Sequence, residues 1–313
     1  MPRWIMAFFA LFSLEMATAQ PWAPDRPITI LNPYAAGSTT DQLARALAAG
    51  MAPRLGQPVI VVNRDGAAGG VGTAQAARAA PDGHALLFIP AVVLSVLPAR
   101  GEVGFTAASF APICQSFENA MAIAVRPESP FTSLADLVAA ARARPGALTY
   151  GHQGIASVPH LAAIELADVA GLQLQDVPYR GEPAVVTDLR AGRVDFAVLV
   201  MGSLAAGGLR TLGVFAPERH PLLPEAPTVM EQGFAVAPTS FGGLFAPAGT
   251  PAPVIARLEA ACLETARDDA YRNVAARMFQ PTRPEADAAS LQPRLARDVA
   301  DKRRLLGMIK EAQ

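Results

Sequence analysis

The chain has 313 residues, 51% of them apolar, and its 26 Lys plus Arg against 27 Asp plus Glu give a formal net charge of -1. That length can bury the cores of about two domains. The balanced charge excludes the basic footprint of a nucleic-acid or anionic-membrane binder, so a small partner is expected and no nucleic acid. At the start of the chain, Arg3 precedes an apolar run from Trp4 to Leu14, and Ala17-Thr18-Ala19 follows as an A-x-A cleavage site. The run is far short of the roughly 20 residues that span a bilayer, so residues 1–19 read as a signal peptide, with cleavage near Ala19 and Gln20. Glu15 departs from that pattern. No later apolar stretch is long enough to span a membrane, and the mature chain is expected outside the cytoplasm.

The next segment, ITILNPYAAGSTTDQLARALAAGM from Ile28 to Met51, reads as strand, small-residue loop and helix. Ala35 to Gly37 let the backbone approach a ligand, Thr39 with Gln42 forms a capping box, and Leu43, Leu47 and Met51 recur on one helical face. The positive end of the helix then points at whatever lies over Gly37, Ser38, Thr39 and Thr40, which is a way to hold an anion without a basic residue. A capped turn with no ligand would use the same residue types. Strands over 58–63 and 85–89 and a helix over 69–80 complete a βαβαβ unit, implying a parallel sheet whose ligands bind beyond the carboxyl ends of the strands. The glycine-rich Asn63 to Gly72 lacks the spacing of a nucleotide-binding loop and suits close packing of the helix start.

Residues 110–125 read as strand, after which the alternation restarts: helix 133–143, strand 148–151, helix 159–170, strand 174–179, helix 183–191 and strands 194–200 and 209–215. The Pro-rich stretch from Pro217 to Pro227 reads as surface connection, and a strand over 241–245 returns to the first lobe. Two long helices, 251–278 and 286–310, are expected to close that lobe. The fold class is therefore α/β with two lobes and two crossings, near 110–125 and 230–242. The first lobe takes residues 20–122 and 238–313, the second 123–237, and a hinged cleft lies between them. Cys114 and Cys262 are compatible with a bridge in an oxidising compartment, but their apolar surroundings favour buried free thiols. No metal is expected, because His84, His152, His160 and His220 show no ligand spacing. No cofactor motif is present either.

Several motifs together resemble a known family. They are Pro33-Tyr34-Ala35-Ala36-Gly37-Ser38-Thr39-Thr40-Asp41, Gly56-Gln57-Pro58, Ala79-Ala80-Pro81-Asp82-Gly83, Val177-Pro178-Tyr179-Arg180-Gly181, Gly192-Arg193-Val194-Asp195 and Phe245-Ala246-Pro247-Ala248-Gly249-Thr250-Pro251. The chain resembles the extracytoplasmic solute-binding receptors of tripartite tricarboxylate transporters, the Bug family. The resemblance implies a type II-like Venus-flytrap receptor in the periplasm, binding small carboxylates through backbone groups and ordered water and passing them to membrane transporter subunits. It is expected to act as a monomer and not as an enzyme. The loops depart from the family more than the scaffold does: its Ser-Ser-Gly-Asn-Gly-Thr stands here as His152-Gln153-Gly154-Ile155-Ala156-Ser157, and its Gly-Ser-Ala-Pro as Gly181-Glu182-Pro183-Ala184.

On this basis the candidate ligand contacts are Tyr34, Ala36, Gly37, Ser38, Thr39, Thr40 and Asp41 in the first lobe, Asp41 serving chiefly to order the loop. Gln153, Ser157, Tyr179, Arg180, Gly181, Glu182 and Asp195 are the candidates in the second. His160 is expected to bond structurally to the neighbouring loop. If Glu182 faces the cleft, its charge opposes a second carboxylate, which favours a monocarboxylate, an amide or an amino-acid-like compound over a plain dicarboxylate. Two other readings stand beside transport. The loaded receptor could dock on a membrane sensor kinase, or Ser157 and His160 with Asp176 or Asp188 could form an exported hydrolase, although no G-x-S-x-G is present.

Overall fold

A computed structural model describes residues 22–311, apart from 102, 222, 237–239, 283 and 284. The signal-peptide reading, Gln20 included, lies outside the described residues.

In chain order the first lobe contains β1 (Ile28–Asn32), α1 (Thr39–Leu55), β2 (Val59–Asn63), α2 (Gly70–Ala77), β3 (Ala85–Pro90), α3 (Val92–Arg100) and β4 (Phe110–Glu118). The second contains β5 (Met121–Val125), α4 (Leu134–Ala143), β6 (Thr149–His152), α5 (Val158–Ala170), β7 (Gln175–Pro178), α6 (Glu182–Arg190), β8 (Phe196–Val200), α7 (Met201–Gly207) and β9 (Arg210–Phe215). The chain returns with β10 (Phe241–Pro247), α8 (Ala252–Arg267), α9 (Asp269–Arg277) and α10 (Ala288–Glu311). Each lobe is built on a five-stranded sheet, ordered β2-β1-β3-β10-β4 in the first and β7-β6-β8-β5-β9 in the second.

The sheets are mixed, where the βαβ alternation implied parallel ones. β1, β2 and β3 run parallel, as do β6, β7 and β8, but β10 and β5 are antiparallel to their neighbours. The reason is the crossing. β5 and β10 enter their sheets from the other lobe, at the edge where the parallel strands end.

α1 shows how local pattern becomes packing. Leu43, Ala44, Leu47, Ala48, Met51 and Leu55 are all buried at helical spacing, and they pack with Ile28, Ile30, Phe88, Leu244 and Leu258 in one core. Gly56 ends the helix with φ 69°, a left-handed conformation that costs glycine little. On the other face of this sheet, Leu87, Ile89, Phe241 and Phe245 meet Leu291 and Leu295 of α10. At Gly72 a Cβ would come within 2.6 Å of the Arg64 carbonyl and 2.9 Å of Pro33 Cβ, so the glycine-rich segment is a close approach of α2 to the β1 loop.

Four expectations are corrected. Cys114 and Cys262 are not free thiols but a disulfide, Cα atoms 6.4 Å apart; β4 and α8 pack face to face in one core, and apolar surroundings do not distinguish a bridge from two thiols. The helix read over 251–278 is two helices, broken at Asp268, whose backbone is extended and whose carboxylate meets Arg54 at 2.9 Å. The strand read over 110–125 is two, separated at Asn119 and Ala120. Finally, α10 does not serve the first lobe alone. Leu305 and Leu306 pack with Val96 of α3 and Leu161 of α5, and Arg304 pairs with Asp168 at 3.0 Å, so its last turns join the lobes.

Candidate functional site

Strands β1, β3, β6 and β8 end at the edge where the lobes face each other, and α1, α3, α5 and α7 leave from it. A cavity of ≈ 260 Å³ lies there. Its wall takes Thr39 and Thr40 from α1, Pro90 and Val92 from the β3–α3 junction, Gln153, Val158 and Pro159 from the start of α5, and Val200 from β8. The crossings add Phe117, Asn119, Met121 and Ser240, and Gln280 follows α9. No charged side chain is among them. A larger cavity, ≈ 560 Å³, lies on the second lobe between α5, β7 and the end of α10, and takes no residue from the loops after β1 and β3.

The loop before α1 is ordered by Asp41, which is 2% exposed. Its carboxylate accepts from Gly37 N–H at 2.8 Å, Arg45 Nε at 3.0 Å and Asn63 Nδ2 at 2.9 Å, while Asn63 Nδ2 also donates to the Tyr34 carbonyl at 3.0 Å. Burial works against ionisation of Asp41, but the bonds from Arg45, Gly37 and Asn63 outweigh it and hold the carboxyl below its usual range. The N-cap is Ser38 rather than Thr39: its Oγ accepts from Asp41 N–H at 3.2 Å, and Gln42 donates to the Gly37 carbonyl at 3.1 Å. Capping by Ser38 leaves Thr39 and Thr40 in the first turn, against the cavity. Gly37 takes φ 81°, which suits a residue without Cβ. Ala36 is exposed, and Tyr34 is half-buried with its phenol pushed up to about 12 by burial.

In the second lobe Ser157 caps α5, its Oγ accepting from His160 N–H at 3.4 Å, and Pro159 occupies the first turn. His160 Nδ1 accepts from Ala156 N–H at 3.0 Å, the bond to the neighbouring loop that its position implied. Burial, then the facing His152, lower its pKa to about 4, against a smaller opposing effect of Asp176. The hydrolase constellation is not assembled: the His160 ring bonds the backbone, Asp176 bonds His152 at 3.2 Å, and Asp188 bonds Tyr179 and Arg193. His152, His160 and Asp176 form the one trio of close metal-capable groups among the described residues. The two rings are stacked 3.9 Å apart at 5°. Imidazole lone pairs lie in the ring plane, so parallel rings do not converge on one ion.

Of the candidate residues, the fold brings Thr39, Thr40 and Gln153 to one cavity and sets Ser38 and Ser157 as caps of two helices that open onto it. The others lie elsewhere. Tyr179 donates its hydroxyl to Asp188 at 2.9 Å, Arg180 is exposed, and Gly181 is the N-cap of α6. Glu182 does not wall the cavity; its carboxylate accepts from Val200 N–H and Ser203 Oγ, both at 2.8 Å, tying α6 to the β8–α7 junction. Burial raises its pKa, partly offset by those two bonds. Asp195 accepts from Thr149 N–H at 2.8 Å and its hydroxyl at 3.0 Å, at the amino ends of β6 and β8, opposite the cavity edge. Asn119, Ser240 and Gln280 were missed. The first two sit in the crossings, which the sequence reading located, and Asn119 Nδ2 donates to Ser240 Oγ at 3.0 Å.

Two α/β lobes, joined by crossing strands and enclosing a neutral cavity at their strand ends, define a two-lobed binding protein. The chain belongs to the tripartite tricarboxylate transporter receptor family (TctC), whose model matches residues 43–310. It is 36% identical over 251 residues to the UPF0065 protein in the tcbD-tcbE intergenic region of Pseudomonas sp. (strain P51), covering 76% of this chain and 73% of that one. Among solved structures it is similar to a TctC solute binding protein from Polaromonas, with TM-score 0.84 and 28% identity over 91% of this chain and 99% of that one. MatC from Rhodopseudomonas palustris with bound malate is a further likeness, with TM-score 0.69 and 26% identity over 90% and 99% of the two chains.

Proposed function

We propose that the protein is a periplasmic receptor that captures a small carboxylate in the interlobe cavity and presents it to the membrane subunits of a tripartite tricarboxylate transporter. One observation carries the reading: the first turns of α1 and α5, from different lobes, open onto one cavity whose wall, among the described residues, holds no charged side chain. Free N–H groups and the helix dipoles supply positive potential there without a counter-ion to displace. Malate in a relative at 26% identity supports the ligand class. The Cys114–Cys262 bridge suits an oxidising compartment. Among the described residues no helix is long and apolar enough to cross a membrane.

The preference for monocarboxylates rested on Glu182, and with that carboxylate held by Val200 and Ser203 the argument against a second acid group lapses. Mono- and dicarboxylates therefore both belong in the test. Titration calorimetry of the mature protein against such acids and their amides should give micromolar or tighter binding for a carboxylate and at least about ten-fold weaker binding for its amide, as expected when a helix N-terminus loses an anion. Equal affinity for acid and amide, or no binding across the panel, would overturn the reading.

A further inference from the structure

The second-lobe cavity has no part in the carboxylate reading, yet its volume of ≈ 560 Å³ is that of a small-molecule site. Most of its wall is apolar. Ile155, Ile164, Leu172 and Leu174 come from the second lobe, and Met308 and Ile309 from the last turns of α10. Three polar side chains share one end of it: Tyr150 and His160, each only 4% exposed, and Asp176. His160 Nδ1 is taken by the Ala156 N–H at 3.0 Å, so in the neutral ring the proton sits on Nε2. Burial, then the facing His152, keep that ring neutral, while burial, then Asp176, keep the Tyr150 phenol protonated. Neither the His160 Nε2–H nor the Tyr150 hydroxyl has a partner among the described residues, and both atoms touch solvent rather than being sealed in the core. For side chains this buried, the cavity they wall is where that solvent lies. Asp176 gives Oδ2 to His152 at 3.2 Å, and its Oδ1 accepts nothing among the described residues. A nitrogen of His160 and an oxygen of Asp176 lie within 4.8 Å of each other. A donor and an acceptor thus stand side by side.

We propose that this cavity is a second binding site, separate from the interlobe one, for a small molecule with a primary carboxamide head and an apolar body. The amide oxygen accepts from His160 Nε2–H, with the Tyr150 hydroxyl as a further donor, and the amide N–H donates to Asp176 Oδ1. Other head groups leave something unmet. A carboxylate meets Asp176 as a like charge with no Lys or Arg in the wall to offset it, and Asp168 at the rim already holds Arg304. An ammonium offers no acceptor to the His160 N–H, and a hydrocarbon strips water from all three polar groups without replacing it. The apolar body rests on α10 as well as on α5 and β7, so the occupied site ties the closing helix to the second lobe. The proposal stands independently of the carboxylate reading.

The test is calorimetry with 3-phenylpropanamide, 3-phenylpropylamine and 3-phenylpropanoate on the wild-type protein, on Ile309→Trp, which fills the apolar end, and on Asp176→Ala, which removes the acceptor. The wild type should bind the amide with a Kd below about 1 mM and at least about five-fold more tightly than the amine, and each variant should weaken the amide by about five-fold or more, the size of one hydrogen bond. The acid belongs to the interlobe cavity, so its affinity should be the same in wild type and Ile309→Trp. An amide whose affinity survives Ile309→Trp, or an acid weakened by that change as much as the amide is, would overturn the assignment. The wild-type ranking needs no variant: an amide bound no more tightly than the amine overturns the proposal by itself and leaves the carboxylate reading standing.

Discussion

Replacing Asp41 with alanine removes the group around which the β1–α1 loop is assembled. Three donors converge on its carboxylate, from Gly37, Arg45 and Asn63. Hydrogen bonds to a charged group contribute roughly 1.5–3 kcal/mol each when buried, which sets the upper limit. The Arg45 side chain is 52% exposed, so its share is screened. Water also reaches the loop, because Ala35, Ala36 and Gly37 are exposed. The expected loss is about 3 kcal/mol of folding stability, carried mainly by the part-buried bonds from Gly37 and Asn63. The same loop holds Thr39 and Thr40 against the cavity, so carboxylate affinity should fall by about ten-fold or more in protein that remains folded. Urea unfolding of wild type, Asp41→Ala and Asp41→Asn, followed by calorimetry at a temperature where all three are folded, measures both quantities. Asp41→Asn keeps the volume but turns one acceptor into a donor facing another donor, and it should lose stability too. A stability change below about 0.5 kcal/mol, the range of ordinary surface substitutions, would refute the reasoning. So would unchanged affinity.

Three further outcomes are expected. Changing both Cys114 and Cys262 to serine opens a cross-link spanning 148 positions and should cost about 3–5 kcal/mol, read from denaturant midpoints; a loss under 1 kcal/mol would assign the stability of the β4–α8 contact to packing alone. His160, with its folded pKa depressed from 6.5 to about 4, binds its proton more readily in the unfolded chain, so its contribution of about 3 kcal/mol is present above pH 6.5 and is lost as the pH falls toward 4. Unfolding measured across that window should be steeper in wild type than in His160→Gln, and parallel curves would contradict the assignment. Solution scattering should report a smaller radius of gyration when a saturating carboxylate is bound, because loops of both lobes wall one cavity; an identical profile would argue for a site that is already closed.

Much of the scaffold was legible because it follows from periodicity and punctuation. The run from Ile28 to Leu31, the face formed by Leu43, Leu47 and Met51, and the stop at Gly56 are local signals, and they appear where the local chemistry put them, the strand extending one residue further to Asn32. Two helices were not legible. α3 contains Pro98 and follows β3 directly, so its apolar residues Val93, Leu94 and Val96 extend the strand pattern rather than showing helical contrast with polar neighbours. α7 has seven residues, short and rich in Ala and Gly, with little intrinsic signal. The disulfide depends on the docking of α8 on β4, a contact between residues far apart in sequence.

The cavity wall divides in the same way. Thr39, Thr40 and Gln153 could be found because they stand just beyond the carboxyl ends of strands. Asp195 precedes β8, so the same edge rule sets it on the far side, where it joins Thr149. The hydroxyl of Tyr179 and the carboxylate of Glu182 have the chemistry of ligand contacts, but each finds a partner inside the second lobe, Asp188 in one case and Ser203 in the other. Gln280 has no motif at all. Its place follows from the left-handed turn at Phe279 and from the return of the chain across both lobes, which only the assembled fold reveals.

The most direct measurement is a crystal structure of the protein with the tightest-binding acid from the calorimetric panel. The ligand is expected between the lobes, with one carboxylate oxygen within hydrogen-bond distance of the backbone N–H groups of Thr39 or Thr40 and its other polar end against Gln153, Asn119 or Gln280. Ligand seated in the second-lobe cavity beside His160 and Met308, or held by an arginine outside the cleft, would contradict that expectation.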